Sequence, residues 1–253
     1  MTYQILGALR VAKDGDVATV GARKVNALLA VLLIRANQVV SAEALSQELW
    51  GDNPPRRATA GLHVYVSQLR KFLADTVSRP NPLVTRAPGY LIQVGTDELD
   101  LLVFRRLVHE GRTHMRARRY DEASRAFGSA LDLWRGPVLD DLQDGEIVRR
   151  FVTWVEELRL ECTEMLVEAD LALGRHRELV GFLHGLVSEY PLHEAFYRQL
   201  MLVLYRCERR AEALRAYHIA RETLTTELGL EPGRPLRELH HAILLDEDER
   251  LAV

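Results

Sequence analysis

Four side chains with hydrogen-bonding ends recur at helical spacing in one stretch of the chain: Thr59, His63, Ser67 and Arg70, at i, i+4, i+8 and i+11. At 3.6 residues per turn they share one face of a helix, and Leu62, Val66, Leu69 and Leu73 share another. A face of this kind can donate to guanine and phosphate acceptors or touch thymine methyls, the features displayed in the major groove of DNA. A helix with a merely solvated front would carry the same pattern. The surroundings favour the groove. Arg56, Arg57, Lys71 and Arg79 flank the stretch, and Arg86 lies two residues before a Pro-Gly turn. A wing can deliver such an arginine to the minor groove, where phosphate potential is concentrated; the plain alternative is a surface ion pair.

Patterns for catalysis do not accompany this face. A phosphate-binding Walker loop ends in Gly-Lys-Ser/Thr, yet neither Lys13, Lys24 nor Lys71 follows a glycine. The chain holds no His-Glu-x-x-His, Cys-x-x-Cys or Gly-x-Ser-x-Gly. His240 and His241 are adjacent, so on a helix they point in different directions, and the pair reads as a solvated helix end rather than a metal site. Glu157, Glu161 and Glu164 line a helix stripe that reads as a solvent face. Cys162 and Cys207 have no partner at a metal or redox spacing and read as small core residues. The expectation is a protein with no catalytic site, metal or cofactor.

The elements that position the reading face can be traced on either side of it. Tyr3 to Leu6, Leu9 to Val11 and Val17 to Val20 are strand-like, with Asp14-Gly15 placed for a tight hairpin turn. Lys24 to Ala36 reads as a buried helix. Ser41 can cap a second helix, Ala42 to Trp50, which Gly51 stops. The rigid loop Asp52-Asn53-Pro54-Pro55 leads to a third helix from about Arg57 to Leu73. Leu83 to Arg86 and Tyr90 to Val94 then flank the turn Ala87-Pro88-Gly89, forming a second hairpin, with Trp50 and Tyr90 as core. Sheet, three helices and hairpin, in that order, make a winged helix-turn-helix.

Beyond residue 95 helical periodicity takes over, so the fold class is mainly α with a small β component. The expected domains are 1–95, a winged-helix DNA-binding domain, and 96–253, a TPR-like all-α domain. Gly174-Arg175-His176-Arg177-Glu178-Leu179 aligns with Glu208-Arg209-Arg210-Ala211-Glu212-Ala213 at an offset of 34, the period of tetratricopeptide helix pairs. Arg119-Tyr120-Asp121-Glu122-Ala123 resembles a further copy 56 residues upstream of Arg175, a spacing that an insertion around Gly136 to Gly145 explains. An ordinary antiparallel bundle is the alternative.

Charge divides along the same line. Residues 1–95 hold 11 Lys+Arg against 6 Asp+Glu, and the rest hold 22 against 30, a basic head of +5 on an acidic body of −8. The chain of 253 residues is 47% hydrophobic and 27% charged, which excludes wholesale disorder. Its longest apolar run, Ala27 to Ile34, is far short of the roughly 20 residues that span a bilayer. With no secretory segment and two lone cysteines, the expected location is the cytoplasm, away from membranes. By length alone, a head of 95 residues can bury a core and reach DNA unaided.

Several stretches together resemble the SARP family of antibiotic regulatory proteins. In the head, Leu6-Gly7-Ala8-Leu9-Arg10-Val11, Leu49 to Pro55, Tyr65 to Lys71 and Pro88-Gly89-Tyr90-Leu91 are similar to that family's OmpR-type winged helix. In the body, Ala130 to Pro137, Leu173 to His176, Tyr190 to Glu194 and Glu227 to Gly233 resemble its bacterial transcriptional activation domain. Cys207-Glu208-Arg209 departs from the Gly-Arg turn of the pattern. The resemblance implies a pathway-specific activator of an antibiotic or secondary-metabolite gene cluster. It implies binding to direct repeats in double-stranded promoter DNA near the −35 element, as a side-by-side homodimer, and recruitment of RNA polymerase through its sigma factor and other subunits. By position, Gly51, Asp52, Asn53, Pro54, Pro55 and Arg56 form the loop that touches polymerase in OmpR-type activators. The competing reading is a TPR-type adaptor whose head has the fold but reads no DNA.

Overall fold

The computed structural model describes residues 1–13, 16–18, 21–74, 80–96 and 98–246. The Asp14-Gly15 turn and Arg79 lie outside the described residues. Two compact units emerge, one of Met1–Val108 with Ser129–Leu160, the other of His109–Gly128 with Glu161–Val253.

The first unit opens with an antiparallel meander of β1 (Thr2–Gln4), β2 (Arg10–Lys13) and β3 (Asp16–Ala18). Tyr3 pairs with Val11, and both are buried, as alternation along a one-sided sheet requires. Next comes α1 (Arg23–Ile34), buried at every position from Leu28 to Leu33, which is why its sequence is nearly unbroken Leu, Ala and Val. After β4 (Val40–Ser41), the Ser41 hydroxyl accepts the Ala44 N–H at 3.1 Å and so caps α2 (Ala42–Trp50). Then follow α3 (Ala58–Leu73) and the wing, β5 (Leu83–Arg86) and β6 (Gly89–Ile92). The second sheet has the order β4-β6-β5. At Gly89 a side chain would collide with the Val40 carbonyl, so the wing can lie against β4 only with glycine there. The winged helix-turn-helix order is the one its sequence implies, with β4 added.

Packing of this unit continues past residue 95. Asp100, which begins α4 (Asp100–Arg116), is 8% exposed, and its carboxylate accepts the Ile5 and Leu6 N–H groups at 2.9 and 3.0 Å. Arg135 closes the site from a further 35 residues on, donating to Asp100 at 3.0 Å. Its backbone N–H bonds the Leu6 carbonyl at 3.0 Å, and the Leu139 N–H bonds that of Gly7 at 3.0 Å. Burial pushes the Asp100 carboxyl above its ordinary value, against the opposing pull of the two amides and Arg135. Glu48 of α2, also 8% exposed, accepts the N–H groups of Ile147 and Val148 at 2.8 and 3.0 Å, at the start of α6 (Glu146–Ala172). The self-sufficiency expected of residues 1–95 is therefore not found in the packing: two buried carboxylates of the unit are satisfied by, or supplied from, later segments.

The second unit is built from helix pairs. Besides its share of α4, α5 (Tyr120–Leu131) and α6, it contains α7 (His176–Glu189), α8 (Glu194–Arg206), α9 (Arg210–Leu228) and α10 (Arg234–Leu245). Arg118, Gly174 and Glu208 adopt left-handed backbone, with φ of 56°, 75° and 62°. After each, an arginine N–H reaches the carbonyl five residues back: Arg119 to His114, Arg175 to Asp170, and Arg209 to Leu204, at 2.9, 3.0 and 2.9 Å. This repeated C-terminal closure of a helix links α4 to α5, α6 to α7 and α8 to α9. The unit is thus TPR-like, and the Cys207-Glu208 departure leaves the turn intact. Cys162 is buried. His241 is exposed as expected, but His240 is half-buried and stacks on Tyr217 at 3.8 Å between centroids. Nor is Glu164 a solvent-facing carboxylate, since it meets His193 at 2.6 Å and both are half-buried.

Candidate nucleic-acid interface

Helix α3 is held from behind by Leu62, Val66, Leu69 and Leu73, each at most 2% exposed. Its N-terminus enters from an exposed loop. Gly51 closes α2 with φ of 58°, donating its N–H to Gln47, and Ala58 N–H bonds the Pro55 carbonyl at 2.9 Å. Asp52, Asn53, Pro54, Pro55, Arg56 and Arg57 are all exposed. Asp52 accepts from the Gln47 side chain at 3.2 Å. Trp50 is half-buried rather than core, stacking on Tyr65 at 6.0 Å with the Lys24 ammonium 5.4 Å above its ring. Gly61 leaves room for that indole, whose nearest carbon would lie 3.3 Å from a Cβ there. Tyr90 is buried as expected.

The structure brings Thr59, His63, Ser67 and Lys71 together on the exposed side of α3. Arg70 differs. It is half-buried, with Nε donating to the Leu83 carbonyl at 3.2 Å and Nη2 to the Thr85 hydroxyl at 2.6 Å. Asn81 donates in turn to the Arg70 carbonyl at 2.8 Å and accepts the Leu83 N–H at 3.0 Å. The guanidinium thus ties α3 to the first wing strand instead of projecting freely. Arg86 is exposed at the end of β5, paired in register with Gly89.

Two further exposed residues on α3 do not follow from the spacing of its polar side chains. Val64, 52% exposed, and Gln68 lie on the same outward side of α3. The signal for Val64 was present in the sequence as an apolar residue out of phase with the buried stripe.

Chemically, the surface offers hydroxyl, imidazole and amide donors on a convex helix, with exposed cations before it, on it and on the wing. Among the described residues no group of three metal-binding side chains occurs, and no helix is long and apolar enough to cross a membrane.

Comparison with known proteins identifies families for both parts of the chain. Residues 99–244 match the family model of the bacterial transcriptional activator domain, and residues 19–92 match that of the C-terminal domain of transcriptional regulatory proteins. The regulatory protein DnrI of Streptomyces peucetius is 38% identical over 96% of this chain and 92% of its own length. The regulatory protein AfsR of Streptomyces griseus is 33% identical over 98% of this chain, but only 25% of its own length. Among solved structures, Mycobacterium tuberculosis EmbR in complex with a low-affinity phosphopeptide superposes with a TM-score of 0.93 at 36% identity, covering 97% of this chain and 65% of that one.

Proposed function

The chain belongs to the SARP family of bacterial transcriptional regulators, and from that premise we propose that it activates a biosynthetic gene cluster by reading direct repeats near a promoter −35 element. The observation that carries this reading is the exposed polar side of α3, with Thr59, His63, Ser67 and Lys71 beside the exposed wing residue Arg86. In the reading, α3 enters the major groove, and Arg57, Lys71, Arg79 and Arg86 anchor phosphates or the minor groove. Arg70 holds the wing at its angle to α3. Two molecules bind side by side as a homodimer on the repeats. The exposed loop Gly51 to Arg56 touches RNA polymerase, whose sigma factor is recruited. The helical unit supplies contacts to protein, because TPR-like pairs stack into a surface suited to partners and a net charge of −8 beyond residue 95 opposes phosphate contact. The protein works by binding, with no catalytic step and no cofactor.

Footprinting on promoters near the gene, followed by a salt titration, tests this. Each phosphate neutralised should add about −0.9 to the slope of log affinity against log salt. Binding to no promoter fragment, or binding indifferent to salt, would favour the adaptor reading.

A further inference from the structure

We propose that Val64 reads a thymine methyl group in the bound repeat, an inference that rests on the DNA-binding reading above. At 100° per residue, Val64 and Lys71 lie about 170° from the midline of the buried stripe. Thr59, His63 and Arg70 lie on the shoulder of the helix, about 50–90° from the same midline. Of the two positions turned furthest from the core, one is therefore a valine, 52% exposed, on a helix whose other exposed positions are all polar or alanine.

A single exposed valine is ordinary on a protein surface. The neighbours of this one give it an occupant. Ala60, one turn before it, is exposed and carries no bulk that would hold the helix away from the floor of a groove. Ser67 and Gln68 follow at i+3 and i+4, and Lys71 at i+7, all exposed. The stripe thus runs from a small residue through an apolar one to two hydrogen-bonding groups and a cation. Exposed Arg56 and Arg57 stand before it, and Arg86 lies on the wing. A cationic frame around an apolar centre matches a duplex, whose phosphates flank a groove floor on which the thymine methyl is the main apolar feature. A protein partner with an apolar patch would have to bury those cations as well, at a cost in desolvation.

The test removes the methyl from the DNA without altering the protein. In a repeat identified by footprinting, each thymine is replaced in turn by deoxyuridine, and affinity is measured for the full chain and for Val64→Ala. At one thymine or more, the parent should lose about fourfold in affinity, the size expected for burying one methyl group. Val64→Ala should bind the thymine repeat about fourfold more weakly and lose nothing further with deoxyuridine at that position. The proposal is overturned if no deoxyuridine position weakens the parent, or if Val64→Ala keeps the full deoxyuridine penalty everywhere. A thermal melt of the variant guards against a folding defect, and the deoxyuridine series on the parent stands without any variant. Failure to bind any promoter fragment would instead remove the DNA-binding reading and this proposal with it, an outcome distinct from salt-dependent binding that ignores the methyl.

Discussion

Arg70 shows how far residue spacing can carry a functional reading. Its position at i+11 from Thr59 groups it with the polar face of α3, and that much is legible in sequence. What the guanidinium does depends on β5, which arrives 13 and 15 residues later to offer the Leu83 carbonyl and the Thr85 hydroxyl. A helical wheel contains no term for that arrival. Arg70→Ala should therefore loosen the wing and weaken binding to specific and random DNA by a similar factor. A reader of bases would lose specific affinity selectively. Thr85→Val removes only the hydroxyl acceptor, and should reproduce part of the loss, about 1 kcal/mol or less for one exposed hydrogen bond. Competition titrations with specific and random duplexes check both variants. Selective loss with Arg70→Ala would return the residue to the set that reads bases. Val64 is hard to read from sequence for a related reason: the spacing of donors says nothing of an apolar side chain whose phase sets it on the outward side of α3.

Among elements, the helix pairs were legible where a local rule governs them and obscure where it does not. The offset of 34 between Gly174 and Glu208 falls on two turns with left-handed backbone. The copy at Arg118 makes the same turn, although the interval of 56 to Gly174 hides it from a fixed period. β4 is not legible in the sequence, because two residues, Val40 and Ser41, carry no alternation to read. Glutamate at a φ of 62° is less comfortable than glycine, which meets no Cβ penalty there. Glu208→Gly should thus raise stability by about 0.5–1 kcal/mol after allowing for the extra freedom of the unfolded chain, whereas Gly174→Ala should lower it by about 1 kcal/mol. Thermal melts of the two variants should move in opposite directions.

The α9–α10 pair also carries a pH dependence. His240 stacks on Tyr217 near His218, and burial, followed by the charges of His218 and His241, holds its imidazole below the ordinary 6.5. In the unfolded chain it takes up a proton closer to 6.5, so between the two values the unfolded state binds more protons and stability rises with pH. This contribution is fully present above about pH 6.5 and is lost as pH falls toward the depressed folded value. His240→Gln should flatten that part of the melting-temperature profile; an unchanged slope between pH 5 and 7 would remove His240 from the account.

For the whole molecule, the charge asymmetry and the order of elements could be read along the chain, but the extent of the first unit could not. Its closing contacts join residues 94 to 100 positions apart, and such pairs leave no periodic trace. Consider a fragment ending at residue 95. The Ile5 and Leu6 N–H groups lose the Asp100 carboxylate, and the Leu6 and Gly7 carbonyls lose the N–H groups of Arg135 and Leu139. Glu48 loses both N–H groups that satisfy it, and Leu99, wholly buried and bridged to Tyr3, is gone. A buried donor or acceptor left unpaired costs about 1–3 kcal/mol unless water reaches it. Several such losses rival the 5–15 kcal/mol that holds a typical domain together. Water will reach some of the uncovered groups, so the fragment need not unfold outright, but its margin should nearly vanish. We expect residues 1–95 to give a broad, low-temperature melt and poorly dispersed amide resonances, and to bind even a single repeat more weakly than the full chain. Glu48→Ala in the intact protein should reproduce a fraction of this effect, about 1–3 kcal/mol of stability, because it strips the Ile147 and Val148 N–H groups of their acceptor without shortening the chain. A fragment that melts cooperatively near the temperature of the full chain would show that the head folds by itself and that the contacts of Asp100 and Glu48 serve only to anchor the segments that follow.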